Sequence, residues 1–261
     1  MPELVEVERY RTLAEGVLRR PITSVTSPDP WFLKGATTAE EIEALLVGNG
    51  FSAVRRIGKL LLLDVGGGPV VGVRFGMTGT LLVDGDDAVG QLLYSPTRRD
   101  AAWERWSVEF ADGGRMVVHD PRRLGGVWLD PDVSGLGPDA SSIGVAGLNA
   151  VLAGSSAPLK ARLLDQSRLA GVGNLIADEV LWRAGLSPLR PASSLSPSEV
   201  KRLHRNLVRT LADLIERGGS HLGDLMDERR SGGVCPKDGN PLARPTVGGR
   251  TSWWCPAHQA G

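Results

Sequence analysis

The 261-residue chain has only two cysteines, Cys235 and Cys255. Two thiols rule out the multi-bridge framework of a small secreted domain, and a reducing cytoplasm is the default setting. No run of about 18 apolar residues occurs, which excludes a membrane-spanning helix. The opening MPELVEVE is acidic and lacks the apolar stretch of a secretory signal, so no export is expected. Net charge is missing too, because 30 Lys+Arg balance 30 Asp+Glu. Such a chain has no overall field to draw it to a polyanion. Internal repeats and low-complexity segments are absent, which excludes a repeat array.

What is present is a globular composition. Hydrophobic residues make up 41%, enough for a sizeable core, and the length suits two domains. The 34 glycines and 17 prolines imply more turns than a helical bundle needs. The neutral total hides an asymmetry. Residues 1–157 hold 15 Lys+Arg and 20 Asp+Glu, a balance of −5, whereas residues 158–261 hold 15 and 10, a balance of +5. A mildly basic second half fits a surface that tracks phosphates, although ordinary solvated charge explains it equally well.

Periodicity predicts a helix over residues 3–18, with Pro2 at its first position and Glu3 and Glu6 in the first turn, where the dipole favours negative charge. From Ile22 to Leu129 short apolar runs alternate with Gly- and Asp-rich turns. Strands are predicted at Lys59–Val65, Val70–Phe75, Gly79–Val83, Trp106–Phe110, Met116–His119 and Gly125–Leu129. A short helix over Ala39–Leu46 is capped by Thr38, with Glu41 completing a capping box. Beyond a Ser-, Gly- and Pro-rich stretch, helices are predicted at Leu148–Leu152, Pro158–Leu164, Asn174–Ala184 and Ser196–Arg217, followed by a turn-rich tail. The reading is α+β: an N-terminal helix and antiparallel β-sandwich domain (1–131), a linker (132–145), a helical domain (146–228) and a hairpin finger (229–261).

Two features carry chemistry. Removal of Met1 would leave Pro2 as a secondary amine at a helix N-terminus. The positive end of the dipole disfavours the protonated form, and a neutral amine can attack a sugar C1′ to form an iminium. Glu3 beside it could move protons at the ring oxygen. A plain helix start also accounts for these residues. The second feature is DQSRLAGVGNLIADEVLWRAGLSP, residues 165–188. It reads as a helix, two turns around Gly171 and Gly173, and a second helix from Asn174, whose first amides make a phosphate site.

The sequence resembles the formamidopyrimidine-DNA glycosylase and endonuclease VIII family over almost its whole length. The resemblance rests on PELVEVE at 2–8, GKLLLL at 58–63, FGMTGTL at 75–81, DPRRLGG at 120–126, LGPDA at 136–140 and the helix–two-turn–helix stretch. It implies a bifunctional base-excision glycosylase and abasic-site lyase acting on damaged double-stranded DNA as a monomer, associated with the nucleoid in the cytoplasm. Pro2 would be the nucleophile, Glu3 the proton-transfer acid and Glu6 a support for the reaction centre. Lys59 would reach the site and a phosphate. Asn174 and Arg250 would hold the phosphates flanking the flipped nucleotide. Met77, Arg122 and Leu124 would fill the hole left in the duplex, with Arg122 facing the orphan base, and Arg123 would take a phosphate.

The resemblance also implies a zinc finger of the form Cys-x2-Cys, sixteen residues, Cys-x2-Cys. Here the spacing is kept as Cys235-x2-Asp238, sixteen residues, Cys255-x2-His258. All four side-chain types bind zinc. Three readings stand: a structural zinc held by all four, zinc held by three protein ligands, or a metal-free finger packed on Trp253 and Trp254. The segment SHLGDLMDERRSGGV at 220–234 is shorter than the loop that caps oxidised purines in that family, and Val5 stands where proline is usual. PELVEVE nevertheless resembles the purine branch. The expected lesions therefore span ring-opened purines, oxidised pyrimidines, bulky adducts and abasic sites. A non-catalytic binder of damaged DNA or specialised protector against one DNA adduct, and a zinc-ribbon interaction protein, are the alternatives from other classes.

Overall fold

The computed structural model describes residues 2–90, 92–93, 95–96 and 98–259. Met1, whose removal the Pro2 chemistry requires, lies outside them. The chain divides into two compact units, Met1–Val133 and Ser134–Gly261.

The first unit opens with α1 (Leu4–Ala14), which tightens into a 3-10 turn at Glu15–Val17. Leu4, Val5, Val7, Tyr10 and Ala14 are buried along it. The expectation that Pro2 occupies the first helical position is corrected. Glu3 is the N-cap, extended at φ −107° and ψ −170°, and its N–H donates to the Glu6 carboxylate at 2.7 Å. This capping-box contact starts the helix at Leu4 and leaves Pro2 just ahead of the cap.

Two antiparallel sheets follow. One runs in the order β2 (Phe51–Ile57), β3 (Leu60–Val65), β4 (Val70–Arg74), β9 (Gly126–Leu129). The other runs β1 (Ile22–Thr26), β7 (Glu104–Phe110), β8 (Arg115–His119), β5 (Thr80–Val83), β6 (Asp86–Asp87). Helix α2 (Ala39–Leu46) lies between β1 and β2 in the chain, with the Thr38/Glu41 capping box in place. Val7 and Tyr10 of α1, Leu61, Leu63 and Val73 of one sheet and Trp106, Val108 and Val118 of the other share one core. Burial of each such side chain contributes about 1.5–3 kcal/mol.

The sequence reading missed β1, β2 and β6. Edge strands have weak signals because only one side is covered. β2 reads FSAVRRI with only Phe51 fully buried, and its Arg55 grips Asp64 on β3 through two bonds of 2.8 and 2.5 Å. Charged side chains on an edge also discourage pairing with another chain.

The second unit is mainly helical: α3 (Val145–Leu152), α4 (Leu159–Leu164), α5 (Asn174–Ala184) and α6 (Pro197–Arg217). Ser196 caps α6, with Glu199 completing the box. Val200, Leu203, Leu207, Leu211 and Leu214 form its buried stripe, the three-to-four spacing of a helix packed on one face. α5 ends at Gly185 in the left-handed conformation, φ +63°, a position that suits glycine. A small hairpin closes the unit, β10 (Thr246–Val247) and β11 (Arg250–Thr251). Among the described residues no helix is long and apolar enough to cross a membrane.

Candidate active site and nucleic-acid interface

In the first unit Pro2 is buried at the start of α1. Glu3 and Glu6 are 0% and 1% exposed. Both side chains sit at the N-terminal end of α1. Lys59 occupies a two-residue turn closed by the Ile57–Leu60 pair. Gly58 there has φ +58°, which the first position of this hairpin turn requires. Arg56 braces the turn, donating to the Gly58 carbonyl and to Glu8, each at 2.8 Å.

Met77, Arg122 and Leu124 lie on two loops that pack backbone to backbone. Gly76 has φ +58°, and a Cβ there would stand 2.4 Å from the carbonyl carbon of Leu124. Only glycine permits that approach. The organiser is Asp120, fully buried. Its Oδ1 accepts from Thr78 Oγ1 at 2.7 Å and from the Arg122 N–H at 3.2 Å, and its Oδ2 accepts from the Gly125 N–H at 2.8 Å. Arg122 Nη1 comes within 3.6 Å of Met77 Sδ, and Leu124 is 51% exposed. A rigid loop thus presents an exposed apolar side chain beside an arginine, the form of a base-step wedge.

Arg123 has a different engagement from the phosphate contact expected of it. With φ +55°, it donates from Nε and Nη2 to the Asp29 carboxylate at 2.6 and 2.7 Å. That fork, helped by Arg105, holds the Asp29 carboxyl below its ordinary range. Neither Asp29 nor Asp120 was singled out from sequence. Asp120 lies inside the DPRRLGG motif, where its role could have been sought. Asp29 has no local signal, because its partner is 94 residues away.

In the second unit the two turns between α4 and α5 are braced by Gln166. Its Nε2 donates to the carbonyls of Leu164 and Val172 at 2.9 Å, and its Oε1 accepts from the Gly171 N–H at 3.0 Å. LGPDA docks alongside, with Ala140 N–H donating to Ala170 O at 2.9 Å and Ala170 N–H to Pro138 O at 3.0 Å. Asn174 is the first residue of α5, after the N-cap Gly173. Its Oδ1 is buried without a hydrogen-bond partner among the described residues. Rotating the amide by 180° exchanges that oxygen for the NH2. Arg250 projects exposed from β11, after a Gly248-Gly249 turn with φ of +57° and +70°, the pattern of a tight hairpin.

The finger brings together three of its four expected metal ligands. Ligand atoms of Cys235, Asp238 and Cys255 lie within 4.8 Å of one another, and both cysteines are free and buried. Trp182 Nε1 donates to Cys235 Sγ and the His258 N–H to Cys255 Sγ, each at 3.3 Å. Such N–H···S bonds orient a thiolate ligand and tune it. Burial pushes the Cys255 thiol up, while the Asn240 backbone N–H lowers the Asp238 carboxyl. The His258 imidazole is not in the group. Its Nε2 lies 2.8 Å from the Trp182 carbonyl and 3.1 Å from Lys237 Nζ, so the ring is engaged outside the group of three. Two sulfurs and a carboxylate fit a zinc-like cation.

A helix-led β-sandwich with Leu124 exposed on the loop of Arg122, together with a helix–two-turn–helix unit, defines a DNA base-excision glycosylase. Comparison with known proteins bears this out. Residues 1–127 match the formamidopyrimidine-DNA glycosylase N-terminal domain, and residues 135–225 match the formamidopyrimidine-DNA glycosylase H2TH domain. The chain is 36% identical to the formamidopyrimidine-DNA glycosylase of Thermus thermophilus, over 99% of this chain and 98% of that protein. It is 32% identical to the Chloroflexus aggregans enzyme, over 99% and 98%. Its structure is similar to that of the Lactococcus lactis enzyme bound to DNA containing an abasic site, with a TM-score of 0.83, 25% identity and full coverage of both chains. The chain belongs to the formamidopyrimidine-DNA glycosylase family.

Proposed function

We propose that the chain is a base-excision glycosylase and abasic-site lyase that works through an N-terminal proline iminium. The observation that supports this most is Pro2 immediately ahead of α1, with buried Glu3 and Glu6 at the same helix end, in a chain of this family. Once Met1 is removed, the Pro2 nitrogen attacks C1′ of the damaged nucleotide while the glycosidic bond breaks and the base departs. Glu3 delivers a proton to the ring oxygen, so the sugar opens to an iminium. The iminium acidifies a C2′ proton, whose loss expels the 3′-phosphate in β-elimination. A second elimination then releases the 5′-phosphate, and water frees the amine.

The other residues take positions along the strand. Lys59, Asn174 and Arg250 bind phosphates, and Glu6 supports the reaction centre. Extrusion of a nucleotide costs a few kcal/mol. Leu124 and Met77 fill the gap and Arg122 bonds the orphan base, recovering part of that cost. Arg123 braces the loop through Asp29 in the DNA-free chain, and duplex phosphates would compete for it. Residues 1–131 carry the chemistry and residues 146–228 the phosphate grip. Residues 229–261 form a finger in which Cys235, Asp238 and Cys255, with His258 after a ring shift, hold zinc as a structural ion.

Solved complexes of the Lactococcus lactis enzyme contain DNA with an abasic site, with Fapy-dG and with N7-benzyl-Fapy-dG. Ring-opened purines and abasic sites are accordingly the substrates proposed for this chain, on the nucleoid of a reducing cytoplasm. An incision panel tests the reading. Duplexes with an abasic site or Fapy-dG should be cut, and an undamaged duplex left whole. Tight binding of abasic-site DNA without incision would make the protein a non-catalytic lesion binder.

A further inference from the structure

A buried ionic node joins the helices of the second unit to the finger hairpin. Lys160 on α4 is 0% exposed, an unusual place for a lysine unless it is paired. Its Nζ lies 2.7 Å from Asp178 Oδ1 on α5. It also donates to Ser252 Oγ at 2.7 Å and to the Thr251 carbonyl at 3.0 Å. Asp178 Oδ2 accepts from Arg229 and from the Trp253 N–H, the latter at 3.1 Å. The node therefore grips three consecutive residues, Thr251, Ser252 and Trp253, directly after Arg250. A second contact seats the turn: a Cβ on Gly248 would stand 3.1 Å from Ala161, the residue after Lys160.

We infer that Lys160 and Asp178 are positioning residues that set the reach of Arg250 toward DNA. Of the metal group, Cys255 is nearest in the chain, following Trp253 and Trp254. A lysine held by a carboxylate, a hydroxyl and a carbonyl has fixed geometry, because every donor of the ammonium has an assigned acceptor. Arg250 is therefore aimed by the helical unit through its own strand. The inference rests on the proposed phosphate role of Arg250.

Equilibrium binding to a duplex carrying a tetrahydrofuran abasic-site analogue, titrated over NaCl concentration, tests it. Arg250→Ala should weaken binding about tenfold and flatten the log K against log salt slope by about 0.9, one phosphate contact. Lys160→Met should reproduce most of both changes, and Lys160→Met/Arg250→Ala should match Arg250→Ala within about twofold. Ser252→Ala, which keeps the ion pair and guards against misfolding of the lysine variant, should shift affinity and slope the same way by less. Multiplying losses in the double variant, or an unchanged slope in both Lys160→Met and Ser252→Ala, would overturn the inference. Unchanged affinity and slope in Arg250→Ala would instead remove the phosphate role of Arg250, and the inference with it.

Discussion

Asp120→Ala should unsettle the first unit and free the loops that carry Met77 and Leu124. The Asp120 carboxylate is fully buried and accepts three hydrogen bonds, from Thr78 Oγ1, Arg122 N–H and Gly125 N–H. A hydrogen bond to a charged group contributes about 1.5–3 kcal/mol, and each donor left buried without a partner costs about 1–3 kcal/mol. The Arg122 N–H bond is long at 3.2 Å and sits in the lower part of that range. Its residue is exposed, so water can replace the carboxylate there. Thr78 and Gly125 are buried and have no such recourse. Desolvation of the carboxylate itself is relieved in the variant, which offsets part of the loss. The sum is a destabilisation of about 3–4 kcal/mol. Asp120→Asn retains one carbonyl oxygen and should lose about half as much. Urea unfolding followed by circular dichroism measures this, provided the two units are fitted as separate transitions. The transition of the first unit should move and that of the second should not. A loss below about 1 kcal/mol for the alanine variant would refute the view that this carboxylate holds the two loops together.

Other outcomes follow from the same geometry. Gly76→Ala meets both a left-handed backbone and a 2.4 Å approach to Leu124. It should cost about 3 kcal/mol in the same unfolding assay. Glu199, held at about 2 by Arg190 and the α6 cap, has a depressed folded value. Its contribution is complete above its ordinary value near 4.5 and is lost as pH falls from there toward 2. Glu199→Gln should therefore flatten the acid limb of stability for the second unit in that window. Elemental analysis should find about one zinc per chain, and Asp238→Ala should lower that occupancy. Full zinc in the variant would remove Asp238 from the ligand set.

Local physics was the most legible part of the sequence. The Thr38/Glu41 and Ser196/Glu199 boxes and the bounds of α5 follow from side chains a few residues apart, and the structure has them where expected. Most of the predicted strands showed as apolar runs, whereas β1 (ITSVT) and β2 (FSAVRRI) escaped because each buries only one residue fully and lacks such a run. The motifs around Pro2, Met77, Arg122 and Asn174 gave the family, since their order and spacing survive in one dimension. Partners brought in from afar were out of reach. Asp29 finds Arg123 across 94 residues, Lys160 finds Ser252 across 92, and the Trp182 carbonyl takes His258 Nε2 across 76. The finger's spacing foretold four ligands; three are gathered, and the fourth, His258, is engaged by that carbonyl and Lys237.

Borohydride trapping on abasic-site DNA tests the central claim most directly. Reduction of the iminium should yield a covalent protein–DNA adduct when the chain begins at Pro2. Pro2→Gly, which keeps a terminal amine, should still trap to a lower yield, and a chain that retains Met1 should give none. Equal trapping by the Met1-retaining chain would contradict the account.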